Sequence, residues 1–329
     1  MSVAIMAWII GSGLVLIGLV LSGLAVHAAR TARRVEKAVP PLGCFIDVDG
    51  TRIHYLDEGS GPTLLLIHGL AGQMRHFTYS LVERLKGDYR VVILDRPGNG
   101  YSTRPPGASA AIAAQARTIA RFAKALGLER PLVVGHSLGG AIALSLAMNH
   151  PDAVCGLALI APASHLDRNV SPVFRRLLIR SRWLRSLMAW TLAIPLSIRN
   201  AEFVLTTVFG PQAVPPDFPK KGGGLLSLRP SSFIGASSDL VAAIEERDDM
   251  PARYSSLTIP VGILFGTADR ILDFKAHGEV LAAKLTDVDF ELIEDGGHMV
   301  PLSFPESSAK FIARMAGRVA ARTRSAVTA

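Results

Sequence analysis

An α/β architecture, a mainly parallel sheet of eight strands covered by helices on both faces, is what this sequence predicts. Three observations carry that expectation. Short apolar runs around Leu64, Val91, Leu132, Val154, Gly262 and Phe290 alternate with longer stretches of helical periodicity, and strands that alternate with helices argue parallel pairing. Phe45 to Val48 and Thr51 to Tyr55 flank Asp49-Gly50, a hairpin turn pair, and complete the set of eight strands. From about Ser164 to Met250 the alternation stops and the composition changes, so an insertion interrupts the regular core.

The chain has 329 residues, 49% of them hydrophobic, enough for one large core; its mean hydropathy of +0.34 is high for a soluble enzyme. The excess lies at the amino terminus. Val3 to Val26 carries no charged side chain and would span about 36 Å as a helix, enough to cross a hydrocarbon core of about 30 Å. Residues 1–28 therefore read as a transmembrane anchor. Arg30, Arg33, Arg34 and Lys37 follow at once, and the positive-inside rule places the rest of the chain on the cytoplasmic side. The alternative is a signal peptide cleaved near Val26-His27-Ala28, leaving the protein secreted or periplasmic. Against it stand the missing basic n-region and an apolar stretch longer than the usual 7 to 15 or so residues. A basic, proline-ended linker over 29–43 leads to a core over 44–163 and 251–321, split by the insertion over 164–250 and followed by a tail over 322–329.

The most informative motif is Gly135-His136-Ser137-Leu138-Gly139. It follows the apolar run Pro131-Leu132-Val133-Val134 and precedes the helical stretch Leu138 to Asn149, so Ser137 falls at the tip of a sharp strand-to-helix turn. Such a turn exposes a serine nucleophile, and Gly135 and Gly139 flank it because side chains there would clash with the backbone nearby. With 30 glycines in the chain the pattern alone is a modest signal, and its context has to carry the rest. A serine hydroxyl needs a base and a carboxylate to orient that base. Asp269 follows the apolar run Ile259 to Phe265, and His298 lies in the Gly-rich stretch Asp295-Gly296-Gly297-His298 after the run Asp289 to Ile293. Both fall just past the carboxyl ends of strands, and Ser, Asp, His is the chain order expected of such a sheet enzyme. The Leu138 amide, directly after the serine, is one candidate donor to an oxyanion.

Thr63 to Ile67 runs into His68-Gly69-Leu70-Ala71-Gly72, and here the chain resembles the α/β-hydrolase family with its HG-x loop. The resemblance extends to Asp95-Arg96-Pro97-Gly98-Asn99-Gly100-Tyr101-Ser102, similar to the family's D-x-x-G-x-G-x-S loop, and to Gly297-His298 followed by Pro305-Glu306. It covers roughly residues 44 to 320. It implies an α/β-hydrolase fold with a helical cap over the active site, and an oxyanion hole whose second donor is the Leu70 amide, with His68 and Gly69 supporting that loop. The HGGG loop of some lipases is replaced here by His68-Gly69-Leu70-Ala71, which says little about substrate. Anchor, basic linker, core and cap together resemble the layout of the family's membrane-anchored monoacylglycerol lipases.

Several neighbouring residues invite a catalytic role and receive a structural one. His68 precedes the oxyanion glycine and reads as a hydrogen-bonding support; His136 packs under the serine turn. Asp273 lies inside the apparent helix start Ile271 to Ala276, where a carboxylate suits the helix N-terminus, so Asp269 is preferred as the acid. Cys44 and Cys155 imply neither a disulfide framework nor a metal site.

The net charge of +8 and pI of 9.8 invite a nucleic-acid reading, which is rejected because the charge lies beside apolar residues and no recognition motif is present. In the first half of the cap Arg168, Arg175, Arg176, Arg180, Arg182, Arg185 and Arg199 face only Asp167. Read as one helix, Val173–Met188 puts Phe174, Leu177, Leu178, Leu184 and Met188 on one side and Arg175 and Arg182 on the other, which resembles a membrane-surface face. The expectation is a membrane-anchored serine hydrolase of carboxylic esters, lipid-like acylglycerols foremost, needing no cofactor or metal. Carbon-carbon bond hydrolysis, cofactor-free peroxidase chemistry and a non-catalytic ligand sensor are the alternatives on the same scaffold.

Overall fold

The computed structural model describes residues 3–165, 170–245 and 250–327. Asp167 and Arg168, counted in the charge of the cap, and the end of the tail lie outside the described residues. Helix α1 (Val3–Ala38) is 36 residues, about 54 Å long, and is long and apolar enough over its first part to cross a membrane. Its second part is not a free connector. The segment read as a basic linker is helical as far as Ala38, and Val35 and Val39 are buried against Leu226 of the cap. Pro40-Pro41 end the helix, because a residue before proline is pushed out of the α region. The exit is pinned where Arg75 Nη2 donates to Pro40 O at 2.6 Å and Tyr101 Oη to Val39 O at 2.5 Å.

Eight strands form one sheet: β1 (Cys44–Val48), β2 (Thr51–Glu58), β3 (Thr63–Ile67), β4 (Arg90–Leu94), β5 (Leu132–His136), β6 (Gly156–Ile160), β7 (Val261–Gly266) and β8 (Val288–Ile293). Their order is β1-β2-β4-β3-β5-β6-β7-β8, with β2 antiparallel to both neighbours and β3 to β8 parallel. Side chains alternate across the sheet. Leu65, Ile67 and Val92 cluster with residues of helices α2 (Ile112–Ala125) and α3 (Leu138–Asn149), while Leu64, Leu66 and Val91 belong to the cluster that holds Phe77, Leu81 and Leu85 and, from the C-terminal helix Pro305–Val327, Phe311 and Met315. Strands covered on both faces are buried at every position, as β5, β6 and β7 are, which is why they read as unbroken apolar runs.

Helices α4 (Arg182–Trp190), α5 (Ala193–Arg199), α6 (Ala201–Phe209) and α7 (Pro230–Glu245) belong to the insertion between β6 and β7. The expected single helix Val173–Met188 is corrected here. A 3-10 segment over Pro172–Leu177 ends in extended chain, and α4 starts afresh at Arg182 with Ser181 Oγ capping the Leu184 amide at 3.4 Å. The break lets Arg185 turn inward onto Ser237 and Ser238 of α7, at 3.0 and 2.7 Å, and leaves Trp183, Leu187 and Trp190 on the surface. Likewise Ile271 to Ala276 does not begin a regular helix; a π-helical turn over Lys275–Glu279 follows two Asx turns made by Asp269 and Asp273.

The connection from β3 crosses to β4 on one side, whereas β5 lies on the other side of β3. Ligand crevices in open α/β sheets form beyond the carboxyl ends of the strands at such a reversal. The turn after β5 has to fit against the loop after β3, and a Cβ at Gly139 would collide with Ile67 O. Gly139→Ala should therefore cost about 3 kcal/mol or more, whereas Gly317→Ala, with open space around its Cβ in the C-terminal helix, should stabilise by about 1 kcal/mol. Denaturant unfolding of the two variants measures this difference in sign.

Candidate active site

Ser137 sits between β5 and α3 at φ 54° and ψ −121°, a backbone conformation that side chains rarely adopt. Its amide donates to Ile160 O at 3.0 Å, and its carbonyl accepts from Gly140 and Ala163 at 2.8 and 3.1 Å. These bonds hold the strained turn in place. A Cβ at Gly135 would lie 2.6 Å from Gly139 O, so the glycines expected to flank the serine do so because the turn closes tightly on itself.

Asp269, in the turn after β7, and His298, in the loop after β8, meet with His298 Nδ1 and Asp269 Oδ2 2.7 Å apart. The other carboxylate oxygen accepts from the Ile271 and Leu272 amides at 2.7 and 3.0 Å. Burial by itself would raise this carboxyl's pKa, but His298 and the two amides outweigh it and hold the group below the usual carboxylate range. An ionised Asp269 keeps the proton on Nδ1 and leaves Nε2 free to accept another. Asp273 makes no bond to His298; its Oδ1 takes the Lys275 amide at 3.0 Å.

Ser137 and His298 line one cavity of about 170 Å³ together with Gly69 and Leu70. Among the described residues no hydrogen bond joins the Ser137 hydroxyl to His298. Contacts of this kind tighten when substrate binds. Leu138 is the first residue of α3, so its amide has no intrahelical acceptor, and no described group accepts from the Leu70 amide.

His68 and His136 are both buried. The Arg96 amide donates to His68 Nε2 at 3.0 Å, which assigns the ring proton to Nδ1 and makes it the donor to Gly69 O at 2.9 Å. Desolvation, reinforced by Arg96, keeps His68 neutral. His136 Nε2 lies 3.0 Å from His298 O and steadies the backbone of the histidine loop. Burial, then the neighbouring His298, lowers its pKa to about 3; burial alone lowers that of His76, in the same cavity wall, to about 4. Cys155 is half-buried against the core, and Cys44 is exposed.

Two contributors carried no recognisable sequence signal. Gln212, after α6, accepts from the Gly297 amide at 2.8 Å and donates to Asp295 O at 2.7 Å, so the cap braces the histidine loop. Asp239 of α7 is completely buried against Arg96. Arg96 itself lay inside a quoted motif without a role.

A second cavity, about 430 Å³, continues from the first into the cap. Phe174, Val204, Leu205 and Phe218 border both, and Leu177, Met188, Leu196 and Phe233 line its far part. Its size falls within the range of about 300–1,000 Å³ typical of small-molecule sites.

The alpha/beta hydrolase fold family matches residues 62–305. This chain belongs to the α/β-hydrolase family. It is 29% identical over 289 residues to an uncharacterised protein of Mycobacterium tuberculosis, covering 86% of this chain and 82% of the other. It is 26% identical over 262 residues to the monoacylglycerol lipase ABHD6 of Rattus norvegicus, covering 77% and 75%. Among solved structures, a membrane phospholipase A described as a bacterial virulence factor superposes with a TM-score of 0.66 at 28% identity, covering 93% of this chain and 97% of that one. A hydrolase is what the family and these neighbours support.

Buried neutral histidines have a consequence for stability. His76 and His136 take up protons less readily folded than unfolded, so their contribution is complete above the ordinary histidine pKa near 6.5 and is lost as pH falls toward 4. Thermal midpoints of the protein should drop between pH 7 and pH 4.5, and His76→Gln should make that drop shallower.

Proposed function

We propose that this chain is a membrane-anchored serine hydrolase of carboxylic esters whose acyl group is long and apolar, acylglycerols and similar lipids foremost. The observation that carries this reading is Ser137 at the tip of a strained turn, opening into an apolar chamber beside the His298–Asp269 pair. In the first half-reaction Ser137 Oγ attacks the ester carbonyl while His298 Nε2 takes the hydroxyl proton. The carbonyl oxygen, now negative, is held by the Leu70 and Leu138 amides. Collapse of that intermediate breaks the bond to the alcohol, which leaves with the proton from His298. Water then attacks the acyl-serine, His298 again takes and returns the proton, and the carboxylic acid departs with Ser137 restored.

The volume and apolar lining of the second cavity support a long acyl chain, and the outside of the cap supports a lipid source for it. Trp183, Leu187, Trp190, Ile198 and Phe203 are exposed there, beside Arg176, Arg182 and Arg199. Helix α1 packs against α4, so if its apolar part lies in a bilayer this face is brought to the same surface. Aromatic residues at the boundary and arginines toward anionic head groups suit that placement. The basic residues after the apolar stretch favour the cytoplasmic side.

With p-nitrophenyl esters of increasing length, kcat/KM should rise from acetyl toward palmitoyl; a maximum at acetyl, or no ester turnover at all, contradicts the reading. Ser137→Ala should abolish labelling by a fluorophosphonate probe and lower kcat by about 10⁶, and Asp269→Asn should lower it by about 10⁴. Labelling by the probe together with at most one turnover on every ester would favour the ligand sensor instead.

For the cap, Trp183→Glu with Trp190→Glu should slow hydrolysis of esters embedded in anionic vesicles at least tenfold and leave hydrolysis of a soluble short-chain ester unchanged. Equal effects on both substrates would place the membrane contact elsewhere.

A further inference from the structure

Arg96 is wholly buried directly behind the loop that carries Leu70. Its Nε donates to His68 O and its Nη2 to Gly69 O, both at 2.9 Å. The third nitrogen, Nη1, donates to Gln115 Oε1 at 2.7 Å and to Asp239 Oδ2 at 2.8 Å. Asp239 comes from helix α7 of the cap, 143 positions further along the chain. The same carboxylate accepts from Asn99 Nδ2 at 2.9 Å and is ion-paired with Arg104.

The consequence follows from the planarity of one peptide bond. Gly69 C=O and Leu70 N–H belong to the same peptide unit, and in a trans unit the two point in opposite directions. Arg96, together with His68 Nδ1 and the Gly72 amide, draws the Gly69 oxygen to the back of the loop. The Leu70 N–H is thereby aimed forward. If the guanidinium shifts, that peptide plane is free to rotate and the donor turns away from the serine. The guanidinium is placed by Asp239, which does not itself line the cavity and reaches its wall only through Asn99.

We propose that Asp239 is a positioning residue for the oxyanion donor, so that seating of the cap helix α7 sets how well the Leu70 amide stabilises a developing oxyanion. This rests on the serine-hydrolase reading above. The cap and the oxyanion loop then form one mechanical unit: displacement of α7 slows the chemical step as well as opening the chamber.

The test compares an ester with its thiono counterpart, whose sulfur is a poor hydrogen-bond acceptor, on the full-length detergent-solubilised protein. An aligned oxyanion hole gives a strong preference for the oxygen ester. In Asp239→Asn, kcat on the oxygen ester should fall about 10- to 100-fold with KM changed less than about threefold, below the 10²–10³ expected for outright loss of a donor. The oxygen-over-sulfur preference should shrink by a similar factor. Because Asp239→Asn leaves two buried guanidinium groups without their carboxylate, Asp239→Asn/Arg104→Gln, which restores the net charge of the cluster, is measured beside it and should show the same collapse. A folded variant that keeps the wild-type preference overturns the proposal, whatever its kcat. A wild-type protein that turns over esters with no such preference contradicts the oxyanion-hole assignment itself, and the proposal falls with it.

Discussion

Two stretches of backbone must touch for this site to exist: the turn after β5 and the loop after β3. Gly139 is pressed against the carbonyl of Ile67, and a Cβ at Gly69 would lie 2.9 Å from that of Ser137. That approach brings Ser137 and Leu70 to the wall of one small cavity, with the Leu138 amide directly after the serine. It also explains the strain at Ser137, since only a left-handed residue between strand and helix lets the chain reverse so close to its neighbour. Asp269 and His298 are then delivered from strands on the far side of β5, with His136 and Gln212 steadying the histidine loop from below and from the cap.

The electrostatics follow from burial. Around the cavity the histidines other than His298 are held neutral by desolvation, while Asp269 stays ionised because three favourable contacts, to His298 and to the Ile271 and Leu272 amides, offset the cost of burying it. In such low-dielectric surroundings a correctly aimed amide has more effect on a developing charge than it would in water. Orientation therefore matters more than the number of donors. A buried arginine held by a cap carboxylate is a physical means of fixing that orientation.

Much of this was legible in the sequence, for local reasons. The strands are bounded by turn residues, and their apolar runs reflect a sheet covered on both faces, so Leu132 to Val134 and Gly262 to Phe265 could be read directly. Ser137, Asp269 and His298 each follow such a run within a short loop, which places them at one edge of a parallel sheet before any contact is known. Contacts between distant residues were not legible. Asp239 lies in a helix without a motif, and only folding sets it against Arg96. The helix expected over Val173–Met188 breaks because Ser181 caps a new start and Ser237 and Ser238 draw Arg185 inward, choices made by the packing of α7 and not by the spacing of apolar residues. The docking of α1 on the cap was hidden similarly, since Val35 and Val39 resemble any other apolar residues beside a basic stretch.

A serine hydrolase of this design must acylate Ser137 covalently during turnover. Rapid acid quench of the protein with a long-chain p-nitrophenyl ester, followed by peptide mass spectrometry, measures this directly. The expected result is a burst of p-nitrophenol matched by an acyl adduct on the peptide containing Ser137, decaying as the free acid accumulates. Ester turnover with the adduct on another residue, or with no adduct under conditions where a burst is seen, would contradict it.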